Sequence, residues 1–259
     1  MKKNLSVTLI QSELVWEDPE ANRQLFSKKL NAISEATDLV VLPEMFTTGF
    51  TMNAASLAEP NDGPTLNWMQ DHAESLESAI TGSVIIEENG QYYNRLFFVL
   101  PDRSYDVYDK KHTFTLAGEH KVYTSGSDKL LVNYHGWKIC PLICYDLRFP
   151  VWARNTEDYD LLLFVANWPE KRVTAWNVLL QARAIENMCY CIGVNRTGAD
   201  GNGHEYIGHS AAFDVLGKKV SQTTTAAEFT ETIALNSEHL RQTRKKLQFL
   251  SDRDRFSLA

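Results

Sequence analysis

The sequence predicts a layered α/β fold, and three features carry that reading. Short apolar runs of strand length alternate with amphipathic helical stretches, hairpin signals interrupt the alternation, and no low-complexity break divides the 259 residues. Alternating strands and helices bury their apolar faces by stacking helices on sheets. One domain over residues 1–259 is the expectation, with 236–259 packing at the surface or at a subunit interface.

Taken in order, Leu5–Ile10 alternates as a half-buried strand does. Asp18-Pro19 then has the form of an N-cap followed by proline at the first helical position, where its missing N–H costs nothing. Phe26, Leu30 and Ile33 continue at the spacing of one buried helical face. The run Leu39–Leu42 reads as a strand covered on both faces, ended by Pro43. Leu66, Met69, Ala73, Leu76 and Ile80 predict a second helix. Ser83–Glu87 and Tyr92–Leu100 predict strands joined through Asn89-Gly90, a strong hairpin signal. Lys138–Cys144, Leu161–Ala166 and Cys189–Val194 predict further strands. Between the last two, Thr174–Asn187 is apolar on nearly every face, which predicts a helix buried on two sides, in the core or against another subunit. Ser210–Val220 reads as a hairpin turning at Gly217, and Phe229–Leu235 as a last strand.

Composition narrows the partners. Lysine and arginine number 26 against 33 aspartate and glutamate, a net charge of −7, which argues against nucleic acid because phosphate binding needs a dense basic face. The basic cluster Arg241–Lys246 reads as a solvated helix face. No apolar run approaches the ~18 residues of a membrane span, and the opening residues lack the form of a signal peptide. Four cysteines without an export signal point to reduced thiols in the cytoplasm. At 29.5 kDa the folded surface should be ~11,500 Å².

Ligands of open α/β sheets bind beyond the carboxyl ends of strands. Glu44 follows the run Leu39–Leu42, Cys144 closes Lys138–Ile143, and Lys110 ends Ser104–Asp109. Each alone has an ordinary structural explanation: a solvated glutamate, a small core cysteine, an exposed lysine.

Together they resemble the nitrilase superfamily of carbon–nitrogen hydrolases. The resemblance rests on Leu42-Pro43-Glu44, Lys110-Lys111-His112-Thr113-Phe114 and Ile143-Cys144-Tyr145-Asp146-Leu147-Arg148-Phe149-Pro150. Arg183–Asn187 is similar to a fourth family segment, and the likeness extends from Leu5 to about Leu235. It implies a four-layer α-β-β-α sandwich, no metal or organic cofactor, and pairing of subunits into a homodimer or larger assembly. The phrases Pro-Glu-Met-Phe-Thr-Thr-Gly-Phe and Cys-Tyr-Asp-Leu-Arg-Phe-Pro-Val-Trp look most like the omega-amidase branch, which hydrolyses 2-oxoglutaramate and related dicarboxylate monoamides. N-carbamoyl amidases, deaminated glutathione amidases and nitrilases are the alternatives within the superfamily, and a non-catalytic binding module is the alternative outside it.

The family pattern Lys-x-His-x-Phe selects Lys110, and alternation of an extended segment would put Lys110 and His112 on one side. The resemblance implies Cys144 as nucleophile, Glu44 as general base, Lys110 with the backbone N–H of Tyr145 as oxyanion donors, and Glu119 as a second glutamate. These types suit an amide, a poor electrophile that needs a strong nucleophile, a proton carrier and preorganised donors. Arg148 is expected either to grip a substrate carboxylate through its planar fork or to pair with Asp146 and fix the turn. Phe46, Phe50 and Trp168 are candidate cavity walls. Cys189 and Cys191 read as buried thiols, and His204 with His209 are too few for a metal site. Gly198–Gly203 lacks a phosphate-loop or dinucleotide pattern and reads as a surface loop.

Overall fold

The computed structural model describes residues 1–223 and 226–257. Strands β1 (Asn4–Gln11), β2 (Leu39–Val41), β3 (Glu59–Pro60), β4 (Ala79–Glu88), β5 (Gln91–Val99) and β6 (Tyr105–Asp109) belong to one sheet. Strands β7 (Val132–Tyr134), β8 (Trp137–Ile143), β9 (Leu161–Ala166) and β10 (Tyr190–Asn195) build a second. A separate hairpin joins β11 (Thr197–Ala199) to β12 (Glu205–Ile207), β13 (Ala211–Phe213) edges the second sheet beside β10, and β14 (Phe229–Asn236) returns to pair antiparallel with β1. The orders are β14-β1-β2-β4-β5-β6, with β3 also on β4, and β13-β10-β9-β8-β7.

The period-2 direction of strand side chains explains the layers. Val40 and Leu42 point to one face, where they meet Phe26 and Leu30 of α1 (Pro19–Asn31). A short helix, α2 (Ala54–Leu57), precedes α3 (Pro64–Leu76), whose Leu66, Met69 and Ala73 join the same cluster. Leu39 and Val41 point the other way, into the core between the sheets with Ile139, Leu142 and Leu163. The far layer is α4 (Val173–Asn187), which lays Trp176, Leu180 and Ala184 on the second sheet. Gly193 permits that approach, since a Cβ there would lie 2.6 Å from both Leu180 and Trp176. The molecule is thus a four-layer α-β-β-α sandwich, and its accessible surface of 11064 Å² agrees with the value expected from chain mass.

The α1 cap forms as expected, with Asp18 accepting from Ala21 N at 2.9 Å and Pro19 in the first turn. Asn89 and Gly90, at φ 53° and 76°, make the tight turn between β4 and β5. Ile80 departs from expectation: the helix ends at Glu77 (φ 51°), and Ile80 lies in β4. Its helix-like spacing arises because that face of β4 packs on Met69 and Ala73. Helix α4 is covered on one side only within the chain; Val178 and Ile185 stay 59% and 49% exposed. After β14, α5 (Ser237–Leu247) buries Leu240. Arg244, counted as part of a solvated basic face, is instead tied to Asp160 at 2.9 Å and to Met188 O at 2.7 Å. The segment 236–257 lies against the surface of the second sheet's layer, and residues 258–259 lie outside the described residues. Among the described residues no helix is long and apolar enough to cross a membrane.

Candidate active site

Strands β1, β2 and β4 run parallel, as do β8, β9 and β10, so their carboxyl ends gather on one side of the two sheets. There β2, β8 and β9 lead into Glu44, Cys144 and Asn167. Beyond β2 the chain turns sharply at Met45 (φ 42°), leaving Glu44 fully buried at the turn. Beyond β8 it turns at Cys144 (φ 44°), where the strand gives way to the short 3-10 turn Cys144–Arg148. A left-handed conformation in a residue other than glycine stores strain of about 1–3 kcal/mol. Here it makes a nucleophile-elbow geometry, with the sulfur facing the cavity beside the first N–H groups of a turn, Tyr145 among them; groups at that position have no partner within the turn itself.

Asp146 holds the elbow in place. It is fully buried and accepts from Ile143 N at 3.0 Å, Tyr108 Oη at 2.8 Å and His112 N at 3.0 Å, and it pairs with His112 Nδ1 at 2.8 Å. The His112 ring stacks on Phe149, centroids 3.6 Å apart. One aspartate therefore links the end of β6, the Lys110–Phe114 segment and the elbow. Arg183 of α4 adds a bond to Leu147 O at 2.7 Å.

Lys110, Glu44 and Glu119 meet. Lys110 Nζ, 1% exposed, lies 2.9 Å from Glu44 Oε1 and 3.0 and 2.9 Å from the two oxygens of Glu119. Phe114 N also donates to Glu119. Burial alone would push the ammonium pKa down, but Glu119 and Glu44 outweigh it and raise it, so Lys110 stays a cation. Burial raises the Glu119 carboxyl, with Lys110 opposing and Glu44 adding to the rise. Cys144 and Lys110 line the same cavity. The thiol lies 3.9 Å from Asn167 O; burial pushes its pKa well up, Glu44 adds to the rise and Lys110 opposes it. At rest the sulfur is therefore protonated, and a neighbouring base is needed to make a thiolate.

The cavity has a volume of ≈ 590 Å³, and Tyr145, Arg148, Trp168 and Phe50 line it. Arg148 does not pair with Asp146, whose oxygens are occupied as described; its guanidinium lies 5.0 Å from the centroid of the Trp168 ring. Arg172, not foreseen from the sequence, stands 5.1 Å from the Phe114 ring centroid at the same cavity. Phe46 is a correction. It is fully buried on the helix side of the first sheet, against Phe26 and Trp68, and does not line the cavity. The turn at Met45 sends it into the core instead.

Gly198–Gly203 is a surface loop as expected, with Gly201, Asn202 and Gly203 exposed; together with the residues after it, it makes the β11–β12 hairpin and a cavity wall through Asp200, Asn202, His204 and Tyr206. His209 points elsewhere, to Asn177. Among the described residues no three His, Cys, Asp or Glu side chains gather as a metal site. Two asparagines also went unseen. Asn94 Nδ2 donates to Glu44 Oε1 at 2.8 Å, and Asn167 N donates to Glu44 Oε2 at 2.8 Å. An asparagine at the start of the buried half of β5, next to the likewise buried Arg95, was the only sign of Asn94.

The carbon–nitrogen hydrolase family model matches residues 6–245. The chain belongs to the carbon–nitrogen hydrolase family. This hydrolase is 44% identical over 98% of both chains to a protein named omega-amidase YafV from Escherichia coli K12. It is 31% identical to a 2-oxoglutaramate amidase of Bacillus subtilis, covering 84% of this chain and 85% of that one. Its fold superposes with a TM-score of 0.96, at 42% identity and 99% coverage of each chain, on XC1258 of Xanthomonas campestris, a CN-hydrolase superfamily protein solved with an arsenic adduct in its active site.

Proposed function

We propose that the protein removes the terminal amide of a small dicarboxylate monoamide, such as 2-oxoglutaramate or 2-oxosuccinamate, as ammonia, through a thioester on Cys144. The observation that carries the substrate class is at the cavity: Arg148 and Arg172 both line it, each lies over an aromatic ring, and neither has a carboxylate partner among the described residues. Arginine matches a carboxylate through its planar fork. The names of the relatives support the same class.

The chemistry follows from the positions of the groups. Glu44 takes the proton of the Cys144 thiol, and sulfur attacks the amide carbon. Lys110 and the Tyr145 N–H hold the oxyanion. Glu44 returns the proton to the departing nitrogen, the C–N bond breaks and ammonia leaves a thioester. Water, deprotonated by Glu44 with Glu119 alongside, attacks the same carbon; the C–S bond breaks, the proton goes back to sulfur and the acid is released.

Ammonia release from a panel of 2-oxoglutaramate, a neutral amide of equal length, an N-carbamoyl amino acid and a nitrile tests this reading, with Cys144→Ala as the blank. Preference for the acidic amide is expected; preference for the N-carbamoyl compound or the nitrile would move the protein to another branch. Arg148→Ala and Arg172→Ala should each raise KM for the acidic amide by about ten- to hundredfold, the worth of a hydrogen bond to a charged group, and change the neutral amide far less. Equal effects on both substrates would leave the arginines without a recognition role.

We further propose that the exposed side of α4 covers a second copy of the chain, since it presents Val178 and Ile185 two turns apart beside Thr174 and Gln181, a mix of apolar and polar groups that suits an interface between subunits. Four free cysteines support a reducing compartment, the cytoplasm.

A further inference from the structure

If Glu44 is the base, one of its oxygens must have room for a proton from sulfur. A carboxylate oxygen offers about two acceptor sites. Oε1 is already taken twice, by Lys110 Nζ at 2.9 Å and Asn94 Nδ2 at 2.8 Å. Oε2 is taken once, by Asn167 N at 2.8 Å. The same Asn167 accepts from the Cys144 thiol through its carbonyl oxygen, so base and nucleophile lean on one residue.

We infer that Asn94 is a positioning residue: by filling the second site of Oε1 it holds the Glu44 carboxylate with Oε2 as the proton acceptor for Cys144. The inference rests on the reading of Glu44 as base. Asn94 is 1% exposed on β5 and reaches Glu44, Glu119 and the backbone of Lys110. Its backbone oxygen accepts from Lys110 N at 3.0 Å, and its side-chain nitrogen also reaches Glu119 Oε1 at 3.4 Å. The reverse orientation of the amide would set its oxygen against both carboxylates, so the NH2 group faces them. Its Oδ1 is buried without a partner among the described residues, a loss that an apolar residue of the same size would avoid. What the amide supplies in return is donation to a charged acceptor, stronger than a neutral hydrogen bond.

The charged and titratable groups facing Glu44 are Lys110 beyond β6, Glu119 and Tyr123 in the segment after it, and Cys144 at the elbow. Removing a donor from a carboxylate disfavours its ionised form. Asn94→Leu should therefore move the acid limb of Cys144 reactivity to higher pH.

The test compares wild type, Asn94→Leu, Asn94→Asp and Glu44→Gln by the pH dependence of iodoacetamide alkylation at Cys144, and by kcat and KM on the preferred amide. Cys140, Cys189 and Cys191 are fully buried, and Cys144→Ala gives the background. Asn94→Leu should shift the acid limb upward and lower kcat about ten- to hundredfold, a loss at or below the low end of full general-base effects as befits a positioning residue, with KM changed less than about threefold. Asn94→Asp, which adds a third carboxyl, should shift the limb further. A folded Asn94→Leu with the wild-type limb and near-normal kcat would overturn the inference, as would a change confined to thermal stability or KM. If the leucine variant does not fold, the aspartate variant decides by the same limb. Should none of the amides be turned over, alkylation still decides the role of Asn94. A limb unmoved in Glu44→Gln would instead overturn Glu44 as the base, and the inference with it.

Discussion

Glu44→Gln is expected to lower kcat for amide hydrolysis by about 10³- to 10⁴-fold, near the upper end of what a positioned general base contributes, with KM changed little. The loss falls on both halves of the reaction, because one carboxylate takes the thiol proton, delivers it to nitrogen and then activates water. Glutamine keeps the length and shape but replaces one oxygen by NH2. Glu44 accepts on both oxygens, from Lys110 and Asn94 on one and from Asn167 N on the other. Either orientation of the new amide therefore sets a donor against a donor, with a stability cost of about 1–3 kcal/mol. Steady-state ammonia release with a parallel denaturation curve separates the two effects; activity within tenfold of wild type would remove Glu44 from the chemistry.

Lys110→Met is expected to affect both rate and fold. Losing one preorganised oxyanion donor costs about 10²- to 10³-fold in kcat. Removing the cation also leaves Glu44 and Glu119 buried with no counter-charge, and breaking a buried pair in this way typically destabilises by about 3–5 kcal/mol. Its pH dependence has a definite sign. Burial already holds the Glu119 pKa above its ordinary value despite Lys110, and without the ammonium it must rise further. A carboxyl whose pKa is higher folded than unfolded binds more protons in the folded state, so its contribution is full below the unfolded pKa and is lost as pH rises through the folded one. The stability deficit of Lys110→Met should therefore shrink as pH falls toward the ordinary carboxylate range. Denaturant unfolding of both proteins at several pH values reads this directly; a deficit that grew on acidification would contradict the buried arrangement of charges.

The sequence revealed those parts of the site that depend on local pattern. Glu44 and Cys144 each follow a strand whose apolar run could be recognised, and the neighbours of all three, Lys110 included, carry the family phrases; the structure pairs Lys110 directly with Glu44 and with Glu119 and places Cys144 at the same cavity. The cap at Asp18 and the turn at Asn89-Gly90 were legible because those residue types solve a local backbone problem. Phe46 was misplaced because a left-handed turn at Met45 decides which way it points, and nothing in residue types announces that turn. Ile80 was misassigned because a strand face and a helix face packed on one cluster share apolar spacing.

Asn94 and Asn167 were invisible for a different reason. Their importance lies in which atoms of Glu44 they meet, across 50 and 123 positions of chain, and a single asparagine carries no trace of that partner. The cavity-lining role of Asp200, Asn202, His204 and Tyr206 left no local trace either: glycines and polar residues suit the surface loop that Gly198–Gly203 is, and only tertiary packing brings these side chains to the cavity.

The most direct test of a shared centre for Cys144, Glu44 and Lys110 is rapid acid quenching during a single turnover of 2-oxoglutaramate, followed by mass analysis of the proteolysed enzyme. The peptide bearing Cys144 should transiently gain the mass of the product acid less one water, and Glu44→Gln should fail to accumulate that species at the wild-type rate. Full product formation with the Cys144 peptide unmodified throughout, or with the acyl group on another residue, would contradict it.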